Sequence, residues 1–275
     1  MLAQRFPKVP PPVLRMKVNE ELLTNSKQLD VSTRGALKRI HRYKFGEYEL
    51  VNSRAGVTRQ FPGQQLFPWL VQIELIKTSG IQRWNLMYEF TKSGAAGVMA
   101  YAFVQKIKQE SQNILLGFSS IDVYDERWGV EYRSAAWQKP WVLQLILRYD
   151  RKTPYWYSFS GLLEDGDQKI EIIPVREFSE KFSEPQPDRQ SKKNIPVSFV
   201  GYEFVLNGKV VAAVQSHLYN SLLMNDRPVS MLKLADYWEE VVLLGNDLEE
   251  SVELAIAAAV PALLQISRNT LEEIN

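Results

Sequence analysis

The chain has no cysteine and only two histidines in 275 residues. The first absence rules out disulfides, a thiolate zinc site and a thiol nucleophile, and it suits a reducing compartment. The histidines, His41 and His217, lie far apart, and neither has a second histidine at metal-ligand spacing. Net charge is nearly absent too. With 33 basic and 32 acidic residues the balance is +1, so no overall field draws the protein to nucleic acid or anionic lipid, and such binding has to come from a local patch. No Gly-x-Gly-x-x-Gly follows a strand pattern, and a Walker loop and a Gly-x-Ser-x-Gly elbow are both missing. Nucleotide-dependent enzymes and serine hydrolases lose their main grounds. Residues 1–14 carry charges and four prolines where a signal peptide needs an unbroken apolar stretch. The expectation is a cytoplasmic protein, peripheral to a membrane at most, with no cofactor and no bound metal.

What is present points to a sizeable core: 45% of residues are hydrophobic and 24% charged, an ordinary globular composition. The most apolar stretch runs from Leu254 to Ser267, 14 residues without a charge. A membrane span needs roughly 20. A helix with no polar face that is too short to span must be buried all round by its own domain. Asp247 is the expected N-cap, with Glu250 three residues on, and Pro261 is expected to kink the helix or end its buried part early, because proline removes a hydrogen bond to the carbonyl of Ala257.

A wall of strands is expected to supply that burial. From about Glu47 apolar residues recur with period two: Val71, Ile73 and Leu75, then Trp84, Leu86, Tyr88 and Phe90, then Val98 to Ile107 and Asn113 to Tyr124. Residues 124–159 are dense in Tyr, Trp and Phe, which favour strands. Asp165-Gly166 marks one hairpin, flanked by Phe159 to Leu163 and Ile170 to Val175. Asn207-Gly208 marks another, because that pair tolerates both positive-φ positions of a type I′ turn. Trp238 to Leu244 reads as the last strand, and Glu20 to Thr24 as a short helical turn. The reading is of one mostly β (α+β) domain over residues 31–275, an antiparallel barrel of about twelve strands around the C-terminal helix. Residues 1–30 are an N-terminal extension, and a polar, proline-broken insert occupies 179–195.

Phe204-Val205-Leu206-Asn207-Gly208-Lys209-Val210-Val211-Ala212-Ala213-Val214, then Glu239 to Asp247, then Val252 to Ile266, resemble the end of a tubby C-terminal-like domain, more particularly its LURP-one-related and scramblase-like branch. There a hairpin precedes a last strand, a Gly-Asp turn and an apolar helix. The resemblance covers residues 200–266 and implies a closed barrel of about twelve strands threaded by its terminal helix. It also implies a family that includes phosphoinositide binders and membrane-associated proteins.

Two groups of residues are candidates for binding. The basic run from Arg34 to Lys44 has no acid between Asp30 and Glu47, and as a helix it would align Arg34, Lys38 and Arg42 in one stripe opposite Leu37 and Ile40. Such a stripe could hold phosphates of a lipid headgroup; a solvated face is the plainer reading. Trp137, Trp141 and Trp156, beside Pro140 and Pro154, lie near strand ends and could stack on sugar rings, although aromatic runs are more often core. Asp150, Asp167 and Lys169 fit loosely the spacing of a metal-dependent nuclease. The best functional expectation is a non-enzymatic binding or scaffolding protein for an anionic lipid headgroup, another phosphate-bearing ligand or a protein partner, with nucleic acid disfavoured. The alternatives are an enzyme using carboxylates in a barrel mouth, a metal-dependent hydrolase or nuclease, and a carbohydrate-binding module.

Overall fold

A computed structural model describes residues 14, 16–37, 40–56, 59–61, 78–93, 97–113, 118–150, 157–177, 199–216 and 240–274. A short helix α1 (Glu20–Thr24) leads into β1 (Ser26–Leu37), β2 (Ile40–Phe45), β3 (Tyr48–Ala55), β4 (Arg59–Phe61), β5 (Thr78–Lys92), β6 (Val98–Asn113) and β7 (Phe118–Ser134). Then come β8 (Trp141–Asp150), β9 (Tyr157–Glu164), β10 (Lys169–Val175), β11 (Gly201–Leu206), β12 (Lys209–Gln215), β13 (Val241–Gly245) and the long helix α2 (Glu250–Ile274). All neighbours pair antiparallel, in the order β3-β2-β1-β13-β12-β11-β10-β9-β8-β7-β6-β5. The ring closes because β3 also pairs with β5, Tyr48 to Ala55 lying against Lys92 to Leu86. β4 pairs farther along the same edge of β5. Together β3 and β4 are one interrupted stave, so the barrel has twelve.

Alternation decides which residues enter the barrel. In β8, Trp141, Leu143, Leu145, Leu147 and Tyr149 are buried while Gln144, Ile146 and Arg148 are exposed. The wall is bulky: Tyr43, Tyr48, Tyr88, Tyr124, Tyr132, Tyr157 and Tyr202 are all buried. The helix answers with small residues, Ala255, Ala257, Ala258, Ala259 and Ala262, each fully buried. A slim helix inside a thick wall fills the lumen as large and small residues interlock. α2 is one 25-residue helix that continues past Pro261. By length and composition it could cross a membrane, yet most of it is enclosed by the barrel. The buried part continues to Asn269, so Pro261 does not end it early. Nor is Asp247 its cap. The first bond of the helix runs from the Glu253 N–H to the Glu249 carbonyl, and Asp247 instead accepts from the Asn25 side chain.

The turns behave as their chemistry requires. Asn207 and Gly208 both have positive φ, 52° and 78°, closing the β11–β12 hairpin. Asp165 accepts from the backbone N–H groups of Asp167 and Gln168 at the β9–β10 turn. These turns and the start of α2 lie at one end, the base; α2 finishes toward the other, the mouth.

Outside the barrel, Met16, Val18 and Leu22 pack on Val200, Ala213, Val241 and Leu243, so α1 and the chain before it strap the outer face of β11–β13. Gly201 allows this: a Cβ there would sit 2.1 Å from Met16 Sδ and 2.3 Å from the Val214 carbonyl oxygen. Ser26 to Asp30 pair with β13, so the barrel begins inside the stretch read as an extension. The strand expected at 70–75, the insert at 179–195 and Trp238 lie outside the described residues.

The basic run is corrected most. Arg34 to Leu37 and Ile40 to Lys44 are not helical but lie in the paired strands β1 and β2, with Arg34 opposite Arg42. The physical reason is visible at Tyr43 and Phe45, which point inward and are buried while Lys44 between them is exposed. That is period two. Leu37 and Ile40, three apart, suggested a helical face, but they are cross-strand partners.

Candidate functional site

Among the described residues, the inward face of the wall carries one fully buried carboxylate. Glu126 on β7 is fully buried and stands directly opposite Lys106 on β6, itself only 8% exposed. Their charged atoms are 3.8 Å apart. Glu126 also accepts from the Tyr124 hydroxyl, from Trp128 Nε1 at 2.7 Å and from Asn269 Nδ2 at 2.7 Å. Burial pushes its carboxyl above the usual range, against the lowering effect of Lys106 and those three donors. The ammonium of Lys106 also lies over the Trp84 and Tyr124 rings, at 5.4 and 5.9 Å.

Asn269 extends this cluster into α2. Gln265 Nε2 donates to Asn269 Oδ1 at 2.8 Å, and Gln265 Oε1 accepts from the His41 backbone N–H at 2.9 Å and from the Tyr43 hydroxyl at 3.3 Å. On the next helical position Arg268 forks onto Glu240 Oε1 at 3.0 and 3.1 Å and reaches Thr33 Oγ1 at 3.1 Å. At the base, Glu253 accepts from the Tyr48 hydroxyl and lies 3.7 Å from Lys92. Burial, reinforced by that carboxylate, holds the Tyr48 hydroxyl far above its ordinary value. The helix is therefore latched at both ends by polar side chains, while its middle is apolar. Chemically, Glu126 is a saturated acceptor. With three donors and an ammonium committed to it, it anchors α2 rather than standing ready to take a substrate proton.

The alternation of β6 and β7 already marked Lys106 and Glu126. Val98, Ala100, Ala102 and Val104 lead in step to Lys106, and Tyr132, Val130 and Trp128 to Glu126. A charge on the inward beat of an apolar strand is a legible signal, and reading these strands for aromatics alone missed it.

The nuclease trio does not assemble. Asp150 ends β8 at the mouth, paired with Arg148 at 3.2 Å. Asp167 lies in the basal turn, paired with Lys139 at 2.6 Å, and Lys169 pairs with Glu171 at 3.5 Å. The two aspartates are separated by the length of β8, roughly 25 Å at about 3.3 Å per residue. Among the described residues no group of three His, Asp or Glu side chains is placed to hold a metal. His41 contributes its backbone to the Gln265 contact and its ring sits edge-on to Tyr43; His217 lies outside the described residues.

Of the tryptophans proposed for stacking, Trp141 is inward and 2% exposed, a core residue. Trp137 is half-buried and packs against the same core, and Trp156 lies outside the described residues. Of the basic stripe, Lys38 lies outside the described residues, while Arg34 and Arg42 are brought together as cross-strand partners. Arg42 donates to the Val51 carbonyl at 3.3 Å and has no carboxylate partner among the described residues. On the neighbouring strand Arg54 is exposed and likewise has none. The nearby Lys44 is paired with Glu49 at 3.6 Å.

Compared with known protein families, curated proteins and solved structures, the chain matches none.

Proposed function

We propose that this is a non-catalytic binding protein whose ligand lies on the outer wall of the barrel, at Arg42 of β2 and Arg54 of β3, and carries phosphate, as an anionic phospholipid headgroup does. The observation that carries the reading is that Arg42 and Arg54, on adjacent strands, have no carboxylate partner among the described residues, with Arg34 in register beside Arg42. Unfavourable like-charge neighbours are offset when an anion sits between them, and arginine forks match phosphate oxygens in pairs. The filled lumen supports the same placement: α2 occupies the space where a hollow barrel would hold a small molecule. The tubby-like resemblance of residues 200–266 is consistent with such a ligand.

The test is co-sedimentation with vesicles of phosphatidylcholine alone or mixed with phosphatidylserine or a phosphorylated phosphatidylinositol. Wild-type protein should pellet with the anionic vesicles only, less so as salt rises, because exposed charges are screened within about 8 Å at physiological ionic strength. The Arg42→Glu/Arg54→Glu variant should lose at least tenfold in capture at unchanged melting temperature. Competition by soluble pyrophosphate would identify the phosphate rather than the bilayer as the determinant. No capture of the wild type, or equal capture of the variant, sinks the reading.

A further inference from the structure

The outer face of β5 to β8, which adjoins Arg54 at a cavity that Arg54 shares with Tyr101, Phe103 and Gly129, has features that the binding reading does not use. The outward positions of β6 include Tyr101 and Phe103, 45% and 48% exposed, and β8 presents Ile146 at 41%. Between them, on β7, is Gly129, the direct cross-strand partner of both Phe103 and Gln144. Glycine weakens the interior of a strand, and a strand tolerates it where a bulge, a special backbone angle or a close neighbour demands it. None of these applies to Gly129. Its pairing is regular on both sides, its φ is not positive, and a Cβ built there meets no atom within 4 Å. Phe103 does not fold over it either, although an aromatic opposite a glycine often does. The result is a notch in the wall beside a projecting ring.

We propose that this face, β5 to β8, is the interface of a symmetric dimer in which Phe103 of each copy enters the notch at Gly129 of the other. The geometry is self-complementary. A two-fold axis lying in the interface and running between β6 and β7 exchanges the Phe103 line with the Gly129 line, so ring meets notch twice. That is the isologous arrangement of a closed dimer. The charges suit a second copy as well. Arg127 is paired with Asp125 at 2.7 Å, Arg133 with Glu131 at 2.6 Å and Arg148 with Asp150 at 3.2 Å, so the face is charged in both signs and does not repel itself. Arg133 also lies over the Tyr101 ring, 5.6 Å from its centroid. Four strands offer on the order of twenty outward positions, near the 20 to 30 residues per side, or about 800 Å², of a standard stable interface. The composition, aromatic and arginine around an apolar centre, is that of residues that dominate binding.

Sedimentation velocity of the full chain from about 1 to 100 µM tests this, with mass compared against the 31.7 kDa monomer. Wild type should run at twice that mass in the upper part of the range. Phe103→Ala removes the ring and Gly129→Val fills the notch, and each should raise the dimer dissociation constant at least tenfold. Gly129→Val should do so with a melting temperature at or above that of wild type under monomeric conditions, because valine suits a strand and has room there. A wild type that stays monomeric throughout overturns the proposal. So does a dimer that neither variant weakens, since its contact must then lie elsewhere. Phe103→Ala, which keeps the fold's interior untouched, gives the answer should Gly129→Val fail to fold.

Discussion

Removing the Glu126 carboxylate should cost this protein a large part of its stability, and the structure says why. In Glu126→Leu three donors, the Tyr124 hydroxyl, Trp128 Nε1 and Asn269 Nδ2, lose their acceptor inside the barrel. The Lys106 ammonium, 8% exposed, loses the counter-charge 3.8 Å away. An orphaned buried donor costs about 1–3 kcal/mol, and breaking one side of a buried ion pair about 3–5 kcal/mol. These overlap, so about 3–5 kcal/mol is the expected loss, out of a total of roughly 5–15 kcal/mol for a domain. Urea unfolding followed by tryptophan fluorescence measures it. The double variant Lys106→Met/Glu126→Leu should be more stable than the sum of the single losses by about 1–3 kcal/mol, because it no longer buries a cation beside an apolar residue. The pH dependence carries a definite sign. Burial raises the Glu126 carboxyl in the folded state, so the folded protein holds a proton that the unfolded chain releases near pH 4.3. Relative to Glu126→Gln, wild type should therefore lose stability as pH rises from about 4.3 to the raised folded value, and stay level above it. A Glu126→Leu variant within about 0.5 kcal/mol of wild type would refute the latch, since that is the range of an inconsequential surface change.

Two other substitutions probe the same architecture. Ile256→Asp places a charge in the apolar middle of α2, where every neighbour is buried, and should abolish the cooperative unfolding transition and the near-ultraviolet circular dichroism; a native melting curve would mean that the helix is not the core. Arg268→Ala leaves Glu240, 4% exposed, without its guanidinium fork. A loss of about 3–5 kcal/mol in chemical denaturation is expected, and Arg268→Lys should recover only part of it because an ammonium cannot fork; full recovery by lysine would show that charge alone suffices.

Much of the barrel was legible in the chain because its causes are local. Asn207-Gly208 can be read as a type I′ hairpin from the backbone freedom of two residues. β5, β6 and the β9–β10 hairpin follow from alternation of large apolar side chains and from turn chemistry, whereas the strand read at Asn113–Tyr124 is the end of β6 and the start of β7. The burial of α2 follows from its lack of any polar face. The candidate arginines were only half legible. Their residue types marked a basic patch, but the spacing of Leu37 and Ile40 imitated a helix, and whether β1 can exist depends on β13, some two hundred residues later, supplying its other edge.

The sequence by itself determined that this protein would be a cysteine-free, mostly β domain built around a terminal helix, because composition, period and turn chemistry act within a few residues. Tertiary structure decided what lies beside what. It put Lys106 opposite Glu126 and brought Asn269 to the same carboxylate, and it sent Trp141 inward. It also kept Asp150 and Asp167 at opposite ends of the barrel, and set Phe103 next to the empty place at Gly129. These are matters of strand register and closure. A register is fixed only when all twelve staves and the helix are packed together, so no short stretch of the chain could have stated it.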